Sequence, residues 1–177
     1  MENLTIRPAL SPDIELLTRI DHCVKTEFVW QMSHQLENQT ITTLFIETHL
    51  PREMRVTYPY SPDMLHERWK NYSGFLVASV DNIPIGYISF VTYFMPNLFW
   101  IKDLVVDEIW RRKGIGTSLF HKGMEWRVER GISKMMLELS SKNYPGICFA
   151  KKMGFEFSGF NDNYFNNNDI ALFFSWQ

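Results

Sequence analysis

Hydrophobic positions along the chain change their spacing several times, and each change marks an element. Leu4–Arg7 alternate as a short strand, and Ser11-Pro12-Asp13 is a helix-start signal with proline at the first helical position. Ile14, Leu17, Ile20 and Val24 follow as an apolar stripe at helical spacing. From Gln31 to Pro59 the pattern is diffuse, although the β-branched run Thr40–His49 predicts a strand. Ser61-Pro62-Asp63 repeats the helix-start signal, and the helix it opens should end near Ser73-Gly74. Phe75–Val80 and Ile85–Phe94 are strand-like runs joined by the turn-forming pair Asp81-Asn82. With Leu98–Val106 they predict an antiparallel meander.

The second half alternates helix and strand. Gly114–Arg130 predicts a helix burying Ile115, Leu119, Phe120, Met124 and Val128, with Gly131 as its C-terminal cap. Lys134–Leu139 is a strand, Tyr144–Met153 a helix ending at Gly154, and Phe155–Phe160 and Ile170–Trp176 are closing strands. Across residues 1–177 there is no linker or repeat, and the Asn-rich turn Asn166-Asn167-Asn168 is the one biased tract. The expectation is a single α/β (α+β) domain with a mixed central sheet flanked by helices.

Composition changes this picture little. The chain has 177 residues, enough for a full core, and a net charge of -2 with a pI near 6.2. No global field draws it to nucleic acid or an anionic membrane, so an anionic ligand needs a local cluster. Met1-Glu2-Asn3 lacks a basic leader, and no apolar run is long enough to span a bilayer, so a cytoplasmic chain is expected. Cys23 and Cys148 form no CxxC, and His22, His34, His49, His66 and His121 form no i, i+4 pair, so neither disulfide nor metal is expected. The aromatic share is 15%, concentrated at Tyr58–Tyr60, Phe90–Trp100 and Tyr164–Trp176. Such an excess ordinarily builds core, and ring faces can also line a pocket.

The chemistry concentrates in Leu104-Val105-Val106-Asp107-Glu108-Ile109-Trp110-Arg111-Arg112-Lys113-Gly114-Ile115-Gly116-Thr117, which runs from a strand through a loop into a helix. The first N–H groups of a helix have no intrahelical partner, and the helix dipole adds positive potential, which together make a phosphate site. Gly114 and Gly116 let backbone approach a ligand, Arg111, Arg112 and Lys113 add local charge, and Thr117 offers a hydroxyl. A Walker loop would need Lys-Ser/Thr after the second glycine, where Thr117-Ser118 stand. A dinucleotide fingerprint would need glycine at Leu119.

On these residues the chain resembles the GNAT acetyltransferase superfamily, whose Arg/Gln-x-x-Gly-x-Gly/Ala motif is matched by Arg111, Gly114 and Gly116. The preceding Leu104-Val105-Val106-Asp107 and the later Asn143 helix ending in Gly154-Phe155 extend the match from about Phe75 to Phe160. Within the superfamily, Val29-Trp30-Gln31-Met32 through Gly159-Phe160 looks most like the streptothricin acetyltransferase-like members. The resemblance implies acetyl-CoA as cofactor. Backbone of Leu104, Val105 and Val106 would pair with the pantetheine arm, residues 111–117 would hold the pyrophosphate, and Asn143 would hydrogen-bond the cofactor.

It also implies direct attack of a neutral amine on a thioester, which needs a proton acceptor. Glu138 stands where related N-acetyltransferases carry a glutamate base; a solvent-facing glutamate with no task is the alternative. Asp103 is a second candidate or a structural acid paired with a basic residue. Lys102-Asp103 replace the Glu-Asp common in streptothricin-type relatives, so either Lys102 faces solvent or the acceptor differs from theirs. Many members carry a tyrosine acid where this chain has Ala150; Tyr164, Tyr144 or a water could substitute. Cys148 should pack as a small hydrophobe. Trp30, Tyr58, Tyr60 and Trp69 with Glu27, Glu37, Glu47 and Glu53 suit a cationic small-molecule amine, or else are core rings and solvated acids. The enzyme expected is an N-acetyltransferase of a small polar or cationic amine. A protein N-terminal or lysine acetyltransferase and a silent acyl-CoA-binding module are the alternatives. Exposed strand edges and the aromatic C-terminus leave room for a homodimer.

Overall fold

A computed structural model describes residues 3–92 and 95–176. Phe94, the expected end of the Ile85–Phe94 strand, lies outside them with Tyr93. The residues group into two compact units, the first being Met1–His22, Tyr60–Glu138 and Ser175–Gln177, the second Cys23–Pro59 and Leu139–Phe174.

In the first unit, β1 (Leu4–Pro8), β4 (Gly74–Val80), β5 (Ile83–Val91), β6 (Leu98–Val106) and the start of β7 (Lys134–Ser140) lie side by side in that order. β1, β4, β5 and β6 are antiparallel neighbours, while β7 runs parallel to β6, so the sheet is mixed as expected. The β4–β5 turn is Asp81-Asn82, with φ of 49° and 65°, a left-handed pair that suits the twist of a two-residue hairpin.

α3 (Ile115–Glu129) covers one face of this sheet: a Cβ added to its Gly123 would meet Ile88 at 3.4 Å and Phe99 at 3.6 Å. Phe90 packs there against Phe99 and Trp126, with ring centroids 4.3 and 4.6 Å away. The buried stripe of α3 is Ile115, Leu119, Phe120, Gly123 and Arg127, and the expected Val128 is 64% exposed. At ~100° per residue, Val128 falls about 80° past Phe120, beyond the covered arc. Gly131 (φ 65°) follows the helix in the left-handed geometry of a C-terminal cap.

The other face carries α1 (Ser11–Thr18) and the four-residue α2 (Leu65–Arg68), extended at either end by single 3₁₀ turns at Pro62–Met64 and Trp69–Asn71. Ile14 and Leu17 are buried as expected, but Ser11 takes the first helical position, placing Pro12 second. Val24, counted in that helical stripe, belongs instead to a strand.

That strand, β2 (Val24–Glu37), forms with β3 (Thr40–Val56) a long antiparallel hairpin in the second unit. The strand expected at Thr40–His49 is therefore present but longer. Its register slips around Glu27, between the pairs Thr26↔Met54 and Phe28↔His49, and Pro51, which has no N–H to give a ladder, sits inside the slip. The same unit holds α4 (Tyr144–Lys152), β8 (Glu156–Asn161) and most of β9 (Ala171–Trp176). Phe45 meets Phe157 and Phe160 there, at 5.6 and 5.2 Å.

Candidate active site

The first unit places a polar cluster where β6 and β7 part. Their parallel ladder runs from Leu98↔Lys134 to Ile101↔Leu137 and stops. Beyond it, Asp103–Val106 are held on their other side by β5. The parting coincides with a bulge in β6: Ser89 faces Asp103 and the next pair is Phe90↔Ile101, leaving Lys102 as an extra residue. Unbroken alternation would put Trp100 and Asp103 on opposite faces; the extra residue returns both to the face opposite α3.

Glu138 sits on that same face, since its strand pairs Met136 with Trp100. The solvent-facing alternative fails: the Glu138 side chain is 2% exposed. Its carboxylate accepts hydrogen bonds from the Trp100 indole N–H and from the Lys102 ammonium. Lys102 does not face solvent either. Its side chain is 14% exposed, and its ammonium lies 4.3 Å from the centre of the Trp100 ring as well as beside Glu138. Burial raises the Glu138 pKa above the usual carboxylate range, while Lys102 and then Trp100 pull it back.

Asp103 is buried, accepts a hydrogen bond from the Ser89 hydroxyl, and has the Arg68 guanidinium at 4.0 Å. A basic partner of the kind a structural acid would have is thus beside it. Arg68 also lies 4.2 Å from the centre of the Tyr60 ring. The Tyr72 hydroxyl is buried near Asp103 and Ser89 without forming a hydrogen bond to either. Burial first, then the Asp103 charge, push its pKa far up, so it stays a neutral phenol. Sequence reading passed over Tyr72, Arg68, Ser89 and Trp100, because only the bulge and the strand register bring them together.

The anion turn follows directly. After β6, Asp107 accepts the Glu108 N–H in a 3₁₀ turn, and Arg112 takes a left-handed φ of 61°. Gly114 caps α3 at φ 84°, with nothing within 4 Å of where a Cβ would stand. The helix ladder begins with Ser118 N–H donating to Gly114 C=O at 3.0 Å, so the N–H groups of Ile115, Gly116 and Thr117 precede it, as helix geometry requires. Arg111 is not simply a free charge: it donates to Val106 C=O at 2.7 Å and to Asp21 C=O, tying the loop to the strand end. Arg112 and Lys113 are exposed, the latter 4.6 Å from the Trp110 ring centre.

The remaining candidates lie in the second unit. Asn143 accepts Gly146 N–H at 3.0 Å through its side chain, capping α4. Tyr164 is half-buried, edge-on to Phe165 and Phe173. Tyr144 donates its phenol to Glu47 at 2.9 Å, and that bond pushes its pKa up. Ala150 is fully buried. Cys148 is exposed rather than packed, since it points about 100° from Ile147 and 160° from Ala150, the buried pair of α4. Glu27, Glu37, Glu47 and Glu53 are all exposed, so the buried carboxylates of the expected chemistry are Glu138 and Asp103. Among the described residues no His/Cys/Asp/Glu group could hold a metal, and no helix is long and apolar enough to cross a membrane.

A mixed sheet whose strands separate beside a helix-start anion turn defines the fold class. The sequence profile of the acetyltransferase (GNAT) family matches residues 38–155, and the chain belongs to that family. It is 32% identical over 81 residues to streptothricin acetyltransferase A of Bacillus subtilis (strain 168), covering 44% of this chain and 47% of that one. It is 31% identical over 117 residues to an N-alpha-acetyltransferase of Saccharolobus solfataricus, covering 56% and 65%. The matched stretches thus span about half to two thirds of these curated relatives. Among solved structures, a nourseothricin acetyltransferase superposes with a TM-score of 0.81 at 21% identity, over 97% of this chain and 96% of that one. A Bacillus anthracis str. Ames protein assigned as a streptothricin acetyltransferase, solved with acetyl coenzyme A, gives 0.75 at 21%, over 99% of each. At these identities the superpositions establish the shared fold.

Proposed function

We propose that the chain is an acetyl-CoA-dependent N-acetyltransferase that modifies a primary amine of a small polar or cationic acceptor by direct attack. The observation that carries this is the continuity of two features: β6 leaves its partner after Ile101, and its C-terminal end leads into the Gly114 start of α3. A linear amide-bearing arm can add to the strand through Leu104, Val105 and Val106, as a peptide adds to a sheet edge. The anionic end of that arm then meets the N–H groups of Ile115, Gly116 and Thr117, with Arg112 and Lys113 beside them. The open space around Gly114 fits such a group. Arg111 holds the turn in place.

When bound, acetyl-CoA supplies a thioester carbonyl open to an amine. Glu138 is the proton acceptor in this reading, because burial has already moved its pKa toward neutrality, where a base works best. Asp103, tied by Ser89 and Arg68, holds the acceptor side in register rather than taking the proton. Tyr72, a neutral phenol in the same cluster, joins Tyr164 as a candidate hydrogen-bond donor. Support for a small acceptor comes from the streptothricin and nourseothricin acetyltransferases among the relatives and fold neighbours. The Saccharolobus N-alpha-acetyltransferase favours a second reading, a peptide N-terminus as acceptor.

Titration calorimetry with acetyl-CoA tests the cofactor half: one-to-one binding is expected, and lost in Gly114→Trp. Absence of binding to the unaltered chain refutes the proposal. Thiol release across a panel of small amines and N-terminal peptides then separates the two acceptors. Binding without release from any of them identifies a silent acyl-CoA-binding module.

A further inference from the structure

The amine already hydrogen-bonded to the proposed base is the chain's own Lys102. Its ammonium is hydrogen-bonded to Glu138 and lies against the Trp100 ring. A carboxylate with an aromatic face is the cage a cationic amine would be given. The bulge explains how it comes to be filled: an extra residue in β6, at the point where β7 departs, turns its side chain into the cluster. Lys102 is also only four residues from Val106 along the strand, about 13 Å at strand rise. An arm anchored at α3 and paired with Val106, Val105 and Leu104 therefore delivers its far end to Lys102.

We propose that Lys102 is a self-acetylation site. The inference rests on the cofactor reading above. Glu138 takes one proton from the Lys102 ammonium, and the neutral amine nitrogen forms a bond to the thioester carbonyl carbon. The C–S bond breaks, CoA leaves as the thiolate, and the second amine proton passes to that sulfur or to solvent. The product is an uncharged acetyl-lysine, and Glu138 loses its cation. Once Glu138 has passed its proton to solvent, the acceptor cage carries a carboxylate without an internal counter-charge, which favours an external cation over the resting protein.

The test is peptide-mapped mass spectrometry of the full chain incubated with acetyl-CoA, beside calorimetry on the same preparation. Modification at Lys102 should be about 100-fold faster than at exposed lysines such as Lys122 and Lys151, because the amine is held in place. The rate should not change on diluting the protein, should fall sharply in Glu138→Gln, and should vanish in Gly114→Trp while the exposed lysines react as before. A readout independent of turnover is the urea midpoint of the modified protein, which should fall as Glu138 loses its partner. Binding of acetyl-CoA without acetyl on Lys102, or with Lys102 no faster than Lys122, overturns this proposal and leaves the cofactor reading standing. Absence of binding overturns the cofactor reading itself.

Discussion

Replacing Lys102 with Met removes one member of a nearly dry ion pair, and the cost should depend on pH in a defined direction. The two side chains are 14% and 2% exposed. Leaving the surviving charge of such a pair without its partner costs about 3–5 kcal/mol. The low end applies here, about 3 kcal/mol, because the Trp100 indole still donates to Glu138 and Met fills most of the lysine stem's volume. Lost cation–π attraction accounts for about 0.5–1 kcal/mol of that. Glu138 has a second way out: it can take a proton. Burial already raises its pKa from the ordinary 4.5, and the variant loses the largest opposing influence, so the pKa climbs further.

A carboxyl whose pKa is raised in the folded state holds its proton more tightly than the unfolded chain does. Stability therefore increases as pH falls through the folded pKa toward the unfolded value, by up to about 1.4 kcal/mol per pH unit. Urea denaturation of both proteins at pH 5.5 and pH 8 reads this directly. The deficit of Lys102→Met should be largest at pH 8 and clearly smaller at pH 5.5. In Lys102→Met/Glu138→Gln the extra pH dependence should disappear. Parallel stability curves for the single variant and the unaltered chain would show that Glu138 gains no proton, and the account of a buried, desolvated pair would be wrong.

Gly86→Ala should destabilise by about 1–3 kcal/mol in thermal denaturation, because the added Cβ would stand 2.6 Å from the Val105 carbonyl oxygen, which is backbone and cannot swing aside. The same change should weaken acetyl-CoA binding in calorimetry, since Val105 lies on the strand edge proposed to receive the arm. Asn143→Ala removes the side-chain acceptor of Gly146 N–H and should cost about 1 kcal/mol in urea denaturation, with Asn143→Asp restoring most of it.

How much of this could be read beforehand depended on how far each feature was fixed by neighbours in sequence. β4, β5, β6 and α3 announce themselves because their apolar runs are long, their turns carry Asn, Asp or Gly, and most of what they bury is buried within one unit. The Gly114 turn was legible for the same reason, being a continuous segment whose strand-to-helix geometry is local. The β2–β3 hairpin was half missed. It exposes Leu36, Ile41, Leu44 and Ile46 at 52–69%, so apolar and polar positions do not sort into inside and outside. Pro51 inside the second strand argued further against an unbroken element. Glu138 could be nominated from its place before Asn143, but its partners could not. Whether Lys102 met solvent or Glu138 was decided by one residue of register between β5 and β6, which no pattern within either strand encodes. Val128 and Cys148 failed for a plainer reason: being apolar does not put a side chain within the arc that a helix presents to its sheet.

The bulge at Lys102 also sets which changes of length the strand can bear. Because the pairs on either side of it, Ser89↔Asp103 and Phe90↔Ile101, would be consecutive in an ordinary ladder, deleting residue 102 would leave every other pair in phase. Deleting Leu104 or Val105 and closing the strand over the bulge would instead set Lys102 opposite Ser89 and carry Asp103 to the other face. Position 102 is thus where the chain can shorten without reversing a face, so the cation that quiets Glu138 can be dropped by a change in length, while the acid pinned by Ser89 keeps its place.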